Sequence, residues 1–124
     1  MSIRGLGVDV VSVSRVRRLL QVYPQRFPQR ILHSAELKDY RRTPDKPAFL
    51  ARRFAAKEAI AKALGRGLAA GVYARKIHID HHPSGAPCAH VSGAFLLPCA
   101  YHIWISISDE RDYSVAFAVY EVLA

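Results

Sequence analysis

The sequence predicts an α+β fold: a single domain, residues 1–124, with a largely antiparallel sheet packed on helices. Three observations lead there. Apolar residues recur at helical spacing through the first half of the chain and at a period of two through the second, and 124 residues suffice for one core but not two. Residues 3–11, IRGLGVDVV, read as the first strand, with Leu6, Val8 and Val10 on one face and Gly5, Gly7, Asp9 and Val11 on the other. Both faces are candidates for burial.

Ser12 or Ser14 is placed to cap the next segment, SRVRRLLQVY. There Val16, Leu19, Leu20 and Tyr23 repeat at helical spacing and Arg15, Arg17 and Arg18 fill the polar side, which makes a short basic amphipathic helix stopped by Pro24. Gln25 to Leu32 is irregular or a short helical turn, and Ser34 opens a further helix, SAELKDY, with Glu36 near its positive end. The longest helix is expected from Pro47 to a stop at Gly65, with Phe49, Leu50, Phe54, Ala61 and Leu64 as its apolar stripe.

Beyond the loop GRGLAAGVY, Ile77 and Ile79 alternate with Lys76, His78 and Asp80, HPSGAP supplies a turn, and Ala89 to Val91 returns as a partner strand. A short apolar segment, GAFLLPCAY, follows, in which Pro98 opposes a long helix. Residues 102–108 and 113–121 are the clearest strands and form a hairpin about the charged turn DERD.

No run of about 18 apolar residues is present, so no membrane span and no membrane partner are expected. The N-terminus lacks a secretory pattern, and Cys88 and Cys99 have no CxxC spacing, so a reducing, cytoplasmic setting is expected. Net charge is +8, but residues 1–66 hold fifteen of the eighteen basic side chains against five acidic ones, a balance of +10, which leaves −2 for the rest. Such a field suits nucleic acid, a phosphate-rich ligand or an acidic protein. Against nucleic acid, the arginines are spread over three helices without exposed aromatics between them; Tyr101, Trp104, Tyr113 and Phe117 belong to apolar strands.

Asp9 sits in an apolar strand, where an unpaired carboxylate is costly to bury. Alone it reads as a strand-end Asp bonded to backbone N–H groups, or as a metal ligand in search of a second carboxylate. Glu58 is a candidate for that second group, and it shares a helix face with Lys62 at i+4, a spacing that by itself makes an ordinary ion pair. Together the two carboxylates fit a hard cation such as Mg²⁺, completed by water and phosphate oxygens. His78, Asp80, His81, His82, Cys88 and His90 form a second polar cluster, expected to be solvated hairpin surface and not a zinc site.

The segments GLGVDVVSVSRV, RILHSAEL, FLARRFAAKEAIAKALGRG, SGAP and SISDERDYSVAFAVYE, in this order, resemble the holo-acyl-carrier-protein synthase family of single-domain 4′-phosphopantetheinyl transferases over nearly the whole chain. Its specific signature is F-x-x-K-E-A-x-x-K-A-x-G, here Phe54 to Gly65, joined by the weaker GxD, Gly7 to Asp9.

The resemblance implies Mg²⁺-dependent transfer of 4′-phosphopantetheine from coenzyme A to a serine of an acyl carrier protein, in fatty acid biosynthesis. It implies Asp9 and Glu58 as metal ligands, and Lys62 on the coenzyme A pyrophosphate. Arg53, the loop Gly65, Arg66 and Gly67, the turn around Gly85 and Pro87, and Asp109 would contact the nucleotide. Arg15, Arg17, Arg18 and Arg26 would receive the acidic carrier protein. Active members are trimers with sites at the subunit seams. The chain departs from the family pattern at Arg66 (GRG for GTG), Ala86 (GAP for GKP) and Asp109, where many relatives carry histidine, and the stretch from Ser92 to His102 is shorter than the usual helical insert. Retention of Asp9, Glu58 and Lys62 opposes a relative that only binds coenzyme A.

Overall fold

The computed structural model describes residues 1–65, 74–92 and 100–123, so the expected apolar segment after Ser92 lies largely outside the described residues. Strand β1 (Ser2–Ser12) runs into helix α1 (Val13–Val22), and the Ser12 hydroxyl caps that helix by accepting from the Arg15 N–H at 3.3 Å. After Pro24 a short helix forms, α2 (Arg26–Ile31). His33, not Ser34, caps the next turn: its Nδ1 accepts from the Ala35 N–H at 3.0 Å, while the Glu36 carboxylate accepts from the His33 N–H at 2.8 Å. A 3₁₀ turn (Ser34–Glu36) then leads into α3 (Leu37–Arg42).

Helix α4 (Lys46–Ala63) begins at an Asp45 cap with Pro47 in its first turn, and Gly65 beyond its end takes the left-handed conformation, φ +81°. The expected apolar stripe was too narrow. Ala51, Ala55, Ala56, Ala59, Ile60 and Ala63 are buried as well, whereas Phe54 and Leu64 are only half-buried. Small side chains let α4 be enclosed along most of its circumference, which erases the amphipathic contrast by which its inner face would be read.

Strands β2 (Ile77–His81) and β3 (Pro87–Val91) form a separate antiparallel hairpin. Strands β4 (Tyr101–Asp109) and β5 (Tyr113–Val122) form the expected second hairpin, and β1 pairs antiparallel with β5, giving the order β1-β5-β4. The antiparallel character holds, but the strands divide into a three-stranded and a two-stranded sheet.

One face of the larger sheet packs on α4, and the approach is close enough to dictate sequence. A Cβ added to Gly5 would lie 1.7 Å from the Ala63 carbonyl oxygen, and one added to Gly7 would lie 1.9 Å from that of Ala59. Only glycine fits at either position. The other face is uncovered: Leu6, Val8, Val10, Val115 and Phe117 are exposed, and so is Trp104 at 57%. The first strand is therefore buried on one side only in a single chain. Trp104, Tyr113 and Phe117 stand on this open face and not in the core.

Glu36 is 1% exposed, and it meets Lys57 (0%) and Arg53 (6%) of α4. Its carboxylate accepts from Lys57 Nζ and from the Ile79 N–H of β2, and it lies 3.2 Å from Arg53 Nε, while Lys57 also donates to the Ile31 carbonyl at 2.6 Å. Burial pulls the Lys57 amine down to about 8 against the raising effect of Glu36. One carboxylate thus joins α4, β2 and the turn that precedes α3. Glu36→Gln, which leaves two buried cations without a counter-charge, is expected to cost about 3–5 kcal/mol in denaturant unfolding. A loss below about 1 kcal/mol would show that the cluster does not organise the core.

Candidate active site

Asp9 lies on the inner face of β1, opposite Ala116 of β5, where the strand passes α4. Lys62 Nζ reaches it from the helix, donating to Asp9 Oδ1 at 3.2 Å and to the Val8 carbonyl at 3.0 Å. Glu58 stands one turn earlier on the same helix face. Burial is the main cause that raises the Glu58 carboxyl above the ordinary range, and Asp9 raises it further, with Lys62 and Arg15 acting in the opposite sense. Among the described residues Glu58 has no hydrogen-bond or ion-pair partner.

Two neighbouring carboxylates, Asp9 held by Lys62 and Glu58 unpartnered among the described residues, form a donor set suited to a hard divalent cation. Among the described residues no three His, Cys, Asp or Glu side chains converge, so the chain offers such an ion few ligands and leaves room for water or phosphate.

A second group forms on the other side of α4. Asp39, Phe49, Arg52, Arg53, His81, Gly85, Pro87, Ile107 and Asp109 line a cleft of about 390 Å³. Arg53 lies 4.6 Å from the Phe49 ring centre, and its Nε, close to Glu36 but misaligned, is buried without a hydrogen bond among the described residues. Gly85, φ +91°, shapes the β2–β3 turn, which is closed by His82 N–H to the Ala86 carbonyl at 2.9 Å. Arg52 Nη1 donates to Asp109 Oδ2 at 3.1 Å, joining α4 to the end of β4.

The structure therefore divides the residues singled out from the sequence. Asp9, Glu58 and Lys62 converge at the β1 edge of the sheet; Arg53, Gly85, Pro87 and Asp109 converge toward the β4 edge. Arg53 and Lys62 are nine residues apart, which at 3.6 residues per turn sets them roughly 180° apart around α4. Gly65 is at the far end of α4 from Arg53, and Arg66 and Gly67 lie outside the described residues.

Arg15, Arg17, Arg18 and Arg26 are all exposed, and Arg26 borders a 240 Å³ cavity between α1 and α2 with Leu19, Tyr23, Phe27 and Arg30. Arg15 is not remote from the carboxylates, since its charge acts on Glu58. Sequence pattern does not mark Asp39, Phe49, Arg52 or His81 as cleft residues: Arg52 and Asp109 are 57 positions apart, and no local pattern pairs them. His78, expected on a solvated face, instead stacks on His33, ring centres 5.2 Å apart, and neighbours His90 at 5.9 Å.

The 4′-phosphopantetheinyl transferase superfamily model matches residues 5–118. The chain is 43% identical over 121 residues to the holo-[acyl-carrier-protein] synthase of Halorhodospira halophila, covering 94% of this chain and 96% of that one. It superposes on the crystal structure of the synthase from Neisseria meningitidis with a TM-score of 0.86 at 36% identity, over 97% of this chain and 99% of that one. The synthase from Bacillus anthracis, solved in complex with CoA (3′,5′-ADP), matches with a TM-score of 0.83 at 29% identity, over 98% of each chain.

The Glu58 environment gives a signed expectation. A carboxyl whose folded pKa is raised destabilises the fold while it is ionised, and the cost disappears as pH falls through that raised value. In metal-free buffer Glu58→Gln should therefore have the higher melting temperature at neutral pH, with the difference closing in acid. A variant less stable than wild type at neutral pH would contradict this.

Proposed function

The chain belongs to the 4′-phosphopantetheinyl transferase superfamily, and on that premise we propose that it is a holo-acyl-carrier-protein synthase whose active sites are completed between subunits. It would carry 4′-phosphopantetheine from coenzyme A to a serine of an apo-acyl carrier protein, as one transferase domain over residues 1–124, in fatty acid biosynthesis in the cytoplasm. The observation that carries this reading is the triad of Asp9, Glu58 and Lys62, held at the β1 edge by side chains from strand and helix.

Asp9 and Glu58 would hold Mg²⁺, which when bound neutralises charge on the coenzyme A pyrophosphate. Lys62 adds a fixed positive charge at the same point and stabilises the departing adenosine 3′,5′-bisphosphate. The serine oxygen forms a bond to the pantetheine-side phosphorus as the bond from that phosphorus to the bridging oxygen breaks. The serine proton needs an acceptor, and Glu58 would supply it, either directly or by polarising a water at the same point.

The division of residues around α4 supports assembly. Lys62 and Arg53 lie on opposite flanks of one helix, so a single nucleotide ligand would meet both more readily if a neighbour's β4 cleft met the β1 edge. Such a contact joins two different patches, which makes a ring where its rotation closes and not a two-fold dimer. Three copies, as the family resemblance implies, would also cover the exposed Leu6, Val8, Val10 and Phe117. The cavity bordered by Arg26 and Arg30, with Leu19, Tyr23 and Phe27 as its apolar floor, suits an acidic amphipathic helix of the carrier protein. Arg18 and Arg17 extend the positive field along α1, and Arg15 brings it to Glu58.

Incubation of the protein with apo-acyl carrier protein, coenzyme A and Mg²⁺, followed by intact mass of the carrier, should show a pantetheine-sized gain. Asp9→Ala should lower the rate by about 10²-fold or more, as for loss of a group that stabilises transition-state charge. An unmodified carrier with wild-type protein would refute the assignment.

A further inference from the structure

Three imidazoles stand in a row between the turn that presents Glu36 and the β2–β3 hairpin. The His33 and His78 rings stack with centres 5.2 Å apart and planes 18° apart, and the ring of His90, the cross-strand partner of His78, lies 5.9 Å beyond. The histidine at the turn has its protonation state fixed by a hydrogen bond. His33 Nδ1 accepts from the Ala35 N–H at 3.0 Å, which requires that nitrogen to carry no proton. Its backbone N–H donates to Glu36 Oε1 at 2.8 Å, so ring and carboxylate close one turn from its two ends.

The surroundings oppose a charge on this ring. It faces His78 from β2, Lys57 from α4 and Lys76 from the turn before β2 (Ala74–Lys76), and each of these disfavours a further proton. Arg75 of the same turn lines a cavity of about 340 Å³ beside His33, together with Gln29 and Ser92, neither of which ionises. Glu36 acts in the opposite sense, but that carboxylate is already met by Lys57 and Arg53. Burial is the largest cause and acts with the cations, so the His33 imidazole is held below its ordinary value of 6.5. Asp80 lies near His78 and His90, at the hairpin end of the row. A proton taken from solvent at Nδ1 would set two donors against each other, the imidazole N–H and the Ala35 N–H, and would put a cation beside Lys57, Lys76 and His78.

We propose that the His33–His78–His90 row is an acid-released latch between the Glu36 turn and the β2–β3 hairpin, closed while His33 Nδ1 is bare and opened when it takes a proton. Glu36 also accepts from the Ile79 N–H of β2, and the hairpin carries Gly85 and Pro87 to the cleft, so release loosens both. The unfolded chain takes this proton near 6.5 and the folded chain only at lower pH. The latch therefore contributes its full stability above that value and loses it as pH falls below.

Nuclear magnetic resonance titration of the imidazoles in the intact protein reads the latch directly: His33 should be the Nε2–H tautomer at pH 8 and titrate below 6.5. His78→Gln, which removes the facing charge, should raise that midpoint. Melting temperatures of the metal-free protein, at one concentration from pH 8 to pH 5, supply the second readout. His33→Ser keeps a capping acceptor that does not titrate, so it should match wild type at pH 8 and exceed it by about 3–5 °C at pH 5, the shift for one cap in a domain of this size. His33→Ala, with no acceptor, should melt about 3–5 °C below wild type at pH 8, and the gap should close in acid. A cap without a titrating role would leave the serine variant parallel to wild type. Such parallel behaviour, a His33 midpoint at or above 6.5, or a midpoint unmoved by His78→Gln would each overturn the latch. None of these readouts depends on phosphopantetheine transfer, so their failure would leave the transferase reading intact.

Discussion

The contact between the glycines of β1 and the alanines of α4 sets the distances on which the rest of the molecule depends. With no side chain at residues 5 and 7, the strand backbone reaches the carbonyls of Ala63 and Ala59. Two residues further along the strand, Asp9 is thereby within reach of Lys62 and in the field of Glu58. A methyl at either glycine would push strand and helix apart and widen that separation. The GxGxD pattern is thus a packing constraint that ends in a charged group.

Helix α4 carries opposed environments on successive residues. Lys57 points into the core and is neutralised by Glu36, while Glu58, the next residue, turns toward Asp9. A rotation of the helix about its axis would break the buried pair and move the carboxylate together, so the Glu36 cluster fixes the orientation in which Glu58 is presented. The same rotation would disturb the second cleft through Arg53. Both edges of the sheet are in this way coupled to one buried carboxylate.

Much of this was legible where it rested on local pattern. Strand periodicity located β1, β4 and β5, and Pro47 and Gly65 bracketed α4 within a residue or two. Asp9, Glu58 and Lys62 could be named because their spacing is a family signature. Other features arise from residues distant in sequence. Nothing near Glu36 announces Lys57, 21 positions later, and its place in the first turn of a helix is read only as a match to the helix dipole. The open face of Leu6, Val8 and Val10 looked like core because alternating apolar residues are equally consistent with a packed face and with one kept for another chain. That two halves of the site lie on opposite flanks of α4 follows from nine residues of helix, but only once the helix is known to present both.

Division of the site between copies is the central claim, and complementation tests it most directly. Glu58→Gln removes the carboxylate side and leaves the cleft; Arg53→Gln removes the cleft side and leaves Glu36 balanced by Lys57. Each variant alone should be nearly inactive. Co-expressed in equal amounts, they should recover about a quarter of wild-type carrier modification, because random mixing in closed trimers restores one seam of three in the mixed assemblies. Activity no greater than the sum of the two parents, in a sample shown by native mass to contain mixed trimers, would mean that each site lies within one chain.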